Sequence, residues 1–190
     1  MKLTAIILAG GKSSRMGTDK GLVLLNGKPM IKHVIEAVEK TEIENVMLIS
    51  NNLAYKQFGL PVYADMIKNK GPLGGIYTGL SNTSTLRNLI LSCDIPFVNE
   101  DIINILIHDE SKSPISVVKY KEITHHLIGV FHASIVDDLY TEIVNDNLKV
   151  GQFIQSKNAT VIDLETQLPD MKSQGVANIN TRDELKKLER

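Results

Sequence analysis

Leu3-Thr4-Ala5-Ile6-Ile7-Leu8-Ala9-Gly10-Gly11-Lys12-Ser13-Ser14-Arg15-Met16-Gly17-Thr18-Asp19-Lys20 is an apolar run that stops at two glycines and turns into a dense polar loop. A short apolar stretch closed by a turn signal predicts a buried strand over Ala5 to Leu8. In the loop, small residues let backbone N–H groups approach a phosphate, while Arg15 and Lys20 can neutralise its charge. Two commoner phosphate motifs are excluded. Ile6 stands where a Walker loop needs its first glycine, and no G-x-G-x-x-G is present.

Outward from this stretch, short β-rich runs alternate with amphipathic segments. Strands are expected at Ala5 to Leu8, Val46 to Ser50, Val62 to Ala64, Asn88 to Leu91, Ile115 to Val118, Leu127 to Phe131 and Val161 to Asp163. Helices are expected at Met30 to Lys40, Leu73 to Ser81, Glu100 to His108, Ile135 to Val144 and Gly151 to Ser156, with apolar positions such as Ile31, Val34, Ile35 and Val38 at helical spacing. Thr181 and Glu184 have the spacing of a capping box, which starts a last helix at Arg182. The alternation implies a single α/β domain over residues 1–190, doubly wound, with a mostly parallel sheet flanked by helices. In such a sheet, ligands sit beyond the carboxyl ends of the strands.

The 190 residues, 43% of them hydrophobic, can bury one sizeable core. With 21 basic and 22 acidic residues the net charge is −1, so no overall field favours nucleic acid or an anionic membrane. Cys93 is the one cysteine, which excludes an internal disulfide. The apolar start is too short and too soon followed by charge for a secretory signal, and no run approaches the roughly 20 apolar residues of a membrane span. A cytoplasmic protein is expected.

Asp94 follows the strand Asn88 to Leu91 in Ser92-Cys93-Asp94-Ile95-Pro96-Phe97. A carboxylate there can hold Mg2+ through one or two oxygens while phosphates and water complete the octahedron. Asn99, not Asp94, is the better cap for the next helix. Asp65 ends another strand and precedes Gly71-Pro72-Leu73-Gly74-Gly75-Ile76, a turn with room for a base or ribose, or simply a tight helix entry. Cys93 reads as a small packed side chain. None of the histidines has zinc-site spacing, and His125 and His126 are expected in solvent, with the border of a substrate pocket as the alternative.

Leu8-Ala9-Gly10-Gly11-x-Ser13-x-Arg15-Met16-Gly17-x-Asp19-Lys20 resembles the signature of the sugar-1-phosphate and molybdopterin nucleotidyltransferases. Gly27-Lys28-Pro29-Met30-Ile31, Asp65, Gly71 to Ile76, Cys93 to Phe97 and Asn178-Ile179-Asn180-Thr181 extend this over nearly the whole chain and are similar to the molybdenum cofactor guanylyltransferases. That family usually has proline where this chain has Arg182.

The resemblance implies a Rossmann-like, GT-A-like fold, with GTP and molybdopterin as substrates and Mg2+ as the metal. It also implies transient partners, one delivering molybdopterin and a molybdoenzyme receiving the product. It assigns nucleotide binding to Leu8, Ala9, Gly10, Lys20, Asp65 and Asp94, and the metal to Asp94. Catalysis falls to Arg15, Lys20 and Asp94, and the molybdopterin pocket to Asn178 and Asn180. The expected chemistry is in-line attack of the molybdopterin phosphate on the α-phosphorus of GTP, with pyrophosphate leaving. A cytidine or sugar-phosphate transferase keeps the fold and changes the substrate. A GTP-binding adaptor keeps the pocket without turnover.

Overall fold

Leu3–Leu8 (β1) is buried along its entire length, Ala5 and Ile7 entering one apolar cluster and Ile6 and Leu8 another. Successive side chains of a strand point to opposite faces, so this burial requires cover on both sides of the sheet. The computed structural model, which describes residues 2–10 and 19–188, supplies that cover. β1 lies inside a seven-stranded sheet with Asn45–Ile49 (β4), Val62–Tyr63 (β5), Arg87–Ser92 (β6), Ile115–Tyr120 (β7), Ile123–His132 (β8) and Thr160–Asp163 (β9). The order is β5-β4-β1-β6-β8-β7-β9, and only β8 runs against the rest. These seven are the expected strands: β1, β6, β7, β8 and β9 are longer than expected, β4 is shifted back by one residue and β5 is one residue shorter.

Helices cover both faces. Met30–Glu39 (α1) and Glu100–Ile107 (α3) bury Ile31, Val34, Ile35, Ile102, Ile103 and Leu106 against Ala5, Ile7, Leu89 and Leu91. The other face holds Gly71–Ser81 (α2), Val136–Val144 (α4) and Val150–Ser156 (α5), whose Leu73, Ile76, Leu139, Ile143 and Phe153 pack on Ile6, Ile90, Val117 and Phe131. This is the doubly wound, mostly parallel arrangement the alternation predicts. Among the described residues, no helix is long and apolar enough to cross a membrane.

Four details go beyond the sequence reading. Of the two readings of the Gly-Pro-x-Gly-Gly stretch the structure has the tight helix entry: it forms the first turn of α2, with Pro72 where a missing N–H costs nothing. Its glycines bring helix and sheet together: a Cβ on Gly75 would stand 3.2 Å from Leu8, and one on Gly79 would stand 2.5 Å from Ile6. Second, Leu24–Leu25 (β2) and Lys28–Pro29 (β3) form a small antiparallel ribbon closed by Asn26 and Gly27 at positive φ. Both central residues of a primed hairpin turn need that conformation, and Asn-Gly is its strongest sequence signal. Third, Leu164–Gln167 (α6) is a short helix after β9, its N-cap Asp163 accepting from Glu165 N–H.

The fourth concerns the C-terminus. Asn99 caps α3 as expected, its Oδ1 accepting from Ile102 N–H at 3.2 Å. The expected capping box also forms at Arg182–Leu188 (α7): Thr181 Oγ1 accepts from Glu184 N–H at 3.2 Å, and Glu184 Oε2 accepts from Thr181 N–H at 3.1 Å. Glu184 reaches further than a capping box requires and also accepts from Asn180 N–H at 2.6 Å. Ile179 and Leu185 bury against Leu25 and Met30 in a third small core, with Val23 and Phe97 at its margin. The C-terminal segment is thereby fixed over the ribbon and the end of β6.

Two outcomes test this packing. Gly79→Ala gains roughly 1 kcal/mol of helix propensity but forces a methyl into the stiff, buried Ile6, where overpacking costs about 1–3 kcal/mol. A net loss of stability is expected in a denaturant titration, and a variant as stable as wild type would show that α2 does not press on β1. Glu184 is held below its ordinary pKa of 4.5, first by Asn180 N–H, then by Thr181 N–H and the charge of Lys20. A depressed carboxyl contributes stability above its unfolded pKa and loses it as pH falls through the folded value. Glu184→Gln should therefore show a lower Tm at neutral pH, and the deficit should shrink as pH falls below 4.5. A deficit independent of pH would remove the charge from the account.

Candidate active site

The carboxyl ends of β1, β4 and β6 stay paired beyond the strands. Ala9 N–H donates to Ile49 O at 2.9 Å and Cys93 N–H to Leu8 O at 3.0 Å. This carries the backbone in register as far as Gly10 and Asp94. Asp94 is 9% exposed, and a carboxylate so placed must find donors. Its Oδ1 accepts from Ser92 Oγ at 2.6 Å and Asn178 Nδ2 at 2.9 Å, and its Oδ2 accepts from Lys20 Nζ at 3.1 Å. Asp94 O takes Ile179 N–H at 2.9 Å. Lys20 Nζ also donates to Asn180 Oδ1 at 2.6 Å.

Segment 178–180, between the 3-10 turn Ser173–Val176 and α7, brings both asparagines to the cluster. Ile179 enters the third core, while Asn178 meets Asp94 and Asn180 meets Lys20. Residues far apart in sequence, Lys20, Asp94, Asn178 and Asn180, are brought together.

Asp65 lies elsewhere on the same edge. Its Oδ2 accepts from Asn51 Nδ2 at 2.7 Å, and its own N–H donates to Asn51 Oδ1 at 3.1 Å. β5 and β6 are three strand spacings apart in the sheet, about 14 Å. Asp65 and Asp94 therefore stand apart on the carboxyl edge and do not form one cluster. Of the residues assigned to the loop's start, Leu8 and Ala9 bury their side chains in the two cores, with Leu8 O and Ala9 N–H taken by Cys93 and Ile49, while Gly10 is exposed. Arg15 lies outside the described residues.

Sequence reading missed Asn51, Asn52, Tyr55 and Ser92. Asn52 Nδ2 donates to Asp19 Oδ2 at 3.1 Å, and the Tyr55 hydroxyl donates to Asp19 Oδ1. The readable signal was Asn51-Asn52 directly after the strand that ends at Ser50, on the edge where ligands sit. Tyr55 gave none, since a tyrosine in an apolar segment reads as core.

Cys93 is packed as expected, and burial, then the negative charges of Asp94 and Asp19, push its thiol well up, which leaves it inert. The expectation for the histidine pair is corrected: both are half-buried. They sit at a bulge, where β7 passes from Val117 to Val118 while β8 passes from Gly129 to His125. The His126 ring lies against Gly151, where only a glycine leaves it space, and burial, then His126, lowers the pKa of His125.

Among the described residues, no group of three or more His, Cys, Asp or Glu gathers as a metal cage. Mg2+ is usually held by one or two carboxylates together with substrate phosphates. Asn178 turns its amide N–H toward Asp94 and Asn180 Oδ1 faces Lys20, so within this cluster it is the carboxylate of Asp94 that fits a metal shared with a phosphate ligand.

Residues 5–159 match the MobA-like NTP transferase domain. A probable molybdenum cofactor guanylyltransferase of Flavobacterium johnsoniae is 37% identical over 98% of this chain and 96% of its own length. The molybdenum cofactor guanylyltransferase of Yersinia pseudotuberculosis is 34% identical over 83% and 82%. The solved molybdopterin-guanine dinucleotide biosynthesis protein A of Archaeoglobus fulgidus superposes with a TM-score of 0.83 over 98% of this chain and 96% of its own, at 22% identity, a likeness of fold. Signature loop, strand-end carboxylate and whole-chain similarity agree: the chain belongs to the MobA-like NTP transferase family of nucleotidyltransferases, beside the molybdenum cofactor guanylyltransferases.

Proposed function

We propose that this chain transfers GMP from GTP to molybdopterin and releases pyrophosphate. The observation that carries the reading is the joint of Lys20 and Asp94 with Asn178 and Asn180. It unites a phosphate-binding cation, a carboxylate suited to a metal and a second pair of recognition groups at the end of one strand. A transfer between two polyanions needs donor and acceptor sites that share a border, and this cluster is such a border. The relatives named above are guanylyltransferases, which selects GTP and molybdopterin among the substrates the geometry allows.

An oxygen of the molybdopterin phosphate forms the new bond to the α-phosphorus, and the bond from that phosphorus to the bridging oxygen of pyrophosphate breaks. No protein nucleophile is needed, and the residues align groups and balance charge. Lys20 holds phosphate oxygens of the donor and Arg15 assists with the leaving pyrophosphate. Asn178 and Asn180 orient the acceptor. Asp65 and Asn51, about 14 Å along the edge, suit the ribose and base. Mg2+ held by Asp94 and the phosphates supplies charge neutralisation. Proteins that deliver molybdopterin or receive the product are part of the same proposal, and GTP supply makes the cytoplasm its place of work.

Pyrophosphate release is measured with Mg2+, molybdopterin and each of GTP, CTP and ATP. Release with GTP alone, dependent on molybdopterin, is expected. Asp94→Asn should lower kcat on the order of a hundredfold or more with the fold intact, and Lys20→Ala should lower kcat/KM for GTP by about tenfold or more. GTP binding without pyrophosphate under any condition would replace the enzyme by a binding protein, and release with CTP alone would replace the donor.

A further inference from the structure

Tyr55 is fully buried, and nothing in the transfer chemistry above uses it. It belongs to the 3-10 stretch Leu53–Phe58, its ring tilted against Phe58 with centroids 6.1 Å apart and packed in the core beneath α1 and α3. Its hydroxyl emerges at Asp19 and donates to Oδ1. Asn52 caps the same stretch, accepting from Ala54 N–H at 3.0 Å, and its Nδ2 donates to Asp19 Oδ2. Both carboxylate oxygens of Asp19 are thus held by a single element.

The backbone tells the same story. Asp19 is the N-cap of the 3-10 turn Lys20–Leu22, yet its side chain makes no capping bond there. Aspartate at that position ordinarily turns onto the first N–H groups of its own helix. Here the carboxylate is turned away toward Tyr55 and Asn52. On the other side of Lys20, Gly21 is wedged between Tyr55 and Cys93: a Cβ there would collide with the Tyr55 hydroxyl and come within 3.2 Å of the Cys93 side chain. Cys93 is the residue before Asp94. Lys20 therefore has both chain neighbours pinned, one to Tyr55 and one against Tyr55 and Cys93, while its own side chain extends to Asp94 and Asn180. A lysine side chain is long and flexible, and fixing its root removes much of the disorder that each phosphate contact must otherwise overcome.

We propose that Tyr55 is a positioning residue of the transfer reaction: through Asp19, its buried hydroxyl fixes the backbone from which Lys20 reaches the phosphates of the nucleotide. The inference rests on the reading of Lys20 as a phosphate ligand. Burial, with the hydrogen bond to Asp19 and the negative charge of that carboxylate, holds the phenol far above its usual range, so the hydroxyl stays protonated and donates to Asp19.

Tyr55→Phe removes one oxygen and keeps the ring. KM for GTP, and Kd for a fluorescent GTP analogue, should rise about tenfold, as for loss of a charge-assisted contact. KM for molybdopterin should stay within about twofold, which a general loosening of the fold would not spare. In the Lys20→Ala background the Tyr55→Phe change should have little further effect, within about twofold, because residues acting through one another are not additive. Should Tyr55→Phe not yield folded protein, Asp19→Asn loosens the same tether from its half-buried end and is read in the same way. An impaired Lys20→Ala with Tyr55→Phe at wild-type KM, or losses that multiply in the double variant, overturns the positioning role and leaves Lys20 as a phosphate ligand. A silent Lys20→Ala overturns that reading of Lys20, and the positioning role with it.

Discussion

A carboxylate nine-tenths buried at the end of a central strand is unfavourable unless donors surround it, and much of the remaining chain is arranged to place those donors around Asp94. Ser92 comes from β6 itself, Lys20 from the segment after the signature loop, and Asn178 and the Ile179 N–H from the far end of the sequence. Three distant parts of the chain are drawn to one point. The sheet supplies that point because β6 is central, with β1 parallel on one side and β8 antiparallel on the other, so its end cannot drift.

Polar contacts alone would be a weak means of holding the C-terminal segment. The net contribution of one hydrogen bond is only about 1 kcal/mol, and a partly exposed ion pair adds little. The third core does what these cannot. Leu25, Met30, Ile179 and Leu185 bury apolar surface at roughly 25 cal/mol per Å2, and Ile179 lies between the two asparagines. Packing fixes the segment, and hydrogen bonds then fix the angle at which Asn178 and Asn180 face the site. The ribbon β2–β3 forms one wall of that core, which gives the Asn26-Gly27 turn a purpose at some distance from the chemistry.

The elements that were legible in the sequence owe it to local causes. The strands showed as apolar runs, the helices as 3.6-residue spacing, and α7 as a capping box whose two partners are three residues apart. Asp94 was legible because the strand-end rule points to it. Asn51 and Asn52 also follow a strand end, but nothing local said which partners they would meet, and Tyr55 carried no mark at all. Their roles come from contacts to Asp65 and Asp19 across 14, 33 and 36 residues, which no local pattern encodes. The half-burial of His125 and His126 was illegible for a related reason, since a bulge breaks the period-two pattern that assigns side chains to faces. The ribbon was legible in principle, because Asn-Gly between apolar residues signals a primed turn, yet two-residue strands are too short to show periodicity.

Contacts also connect Asp65 with Asp94 along the carboxyl edge. Asp65 is tied to Asn51, Asn51 is bonded to Asn52, Asn52 holds Asp19, Asp19 precedes Lys20, and Lys20 meets Asp94 and Asn180. This path follows the carboxyl edge from β5 past β4 and β1 to β6. Around Asp94 the formal charges cancel: Lys20 contributes one positive, Asp94 one negative, and Ser92, Asn178 and Asn180 none. Such a cluster is self-consistent but offers a polyanion no net attraction. In the proposed reaction Lys20 therefore binds phosphate together with further cations, Arg15 of the signature loop and a divalent ion that would share Asp94 with the substrate. A lone carboxylate is a poor metal cage and a good half-site. On the proposed reading it would bind the ion well only when phosphate oxygens complete the coordination, so that metal and nucleotide would be retained together.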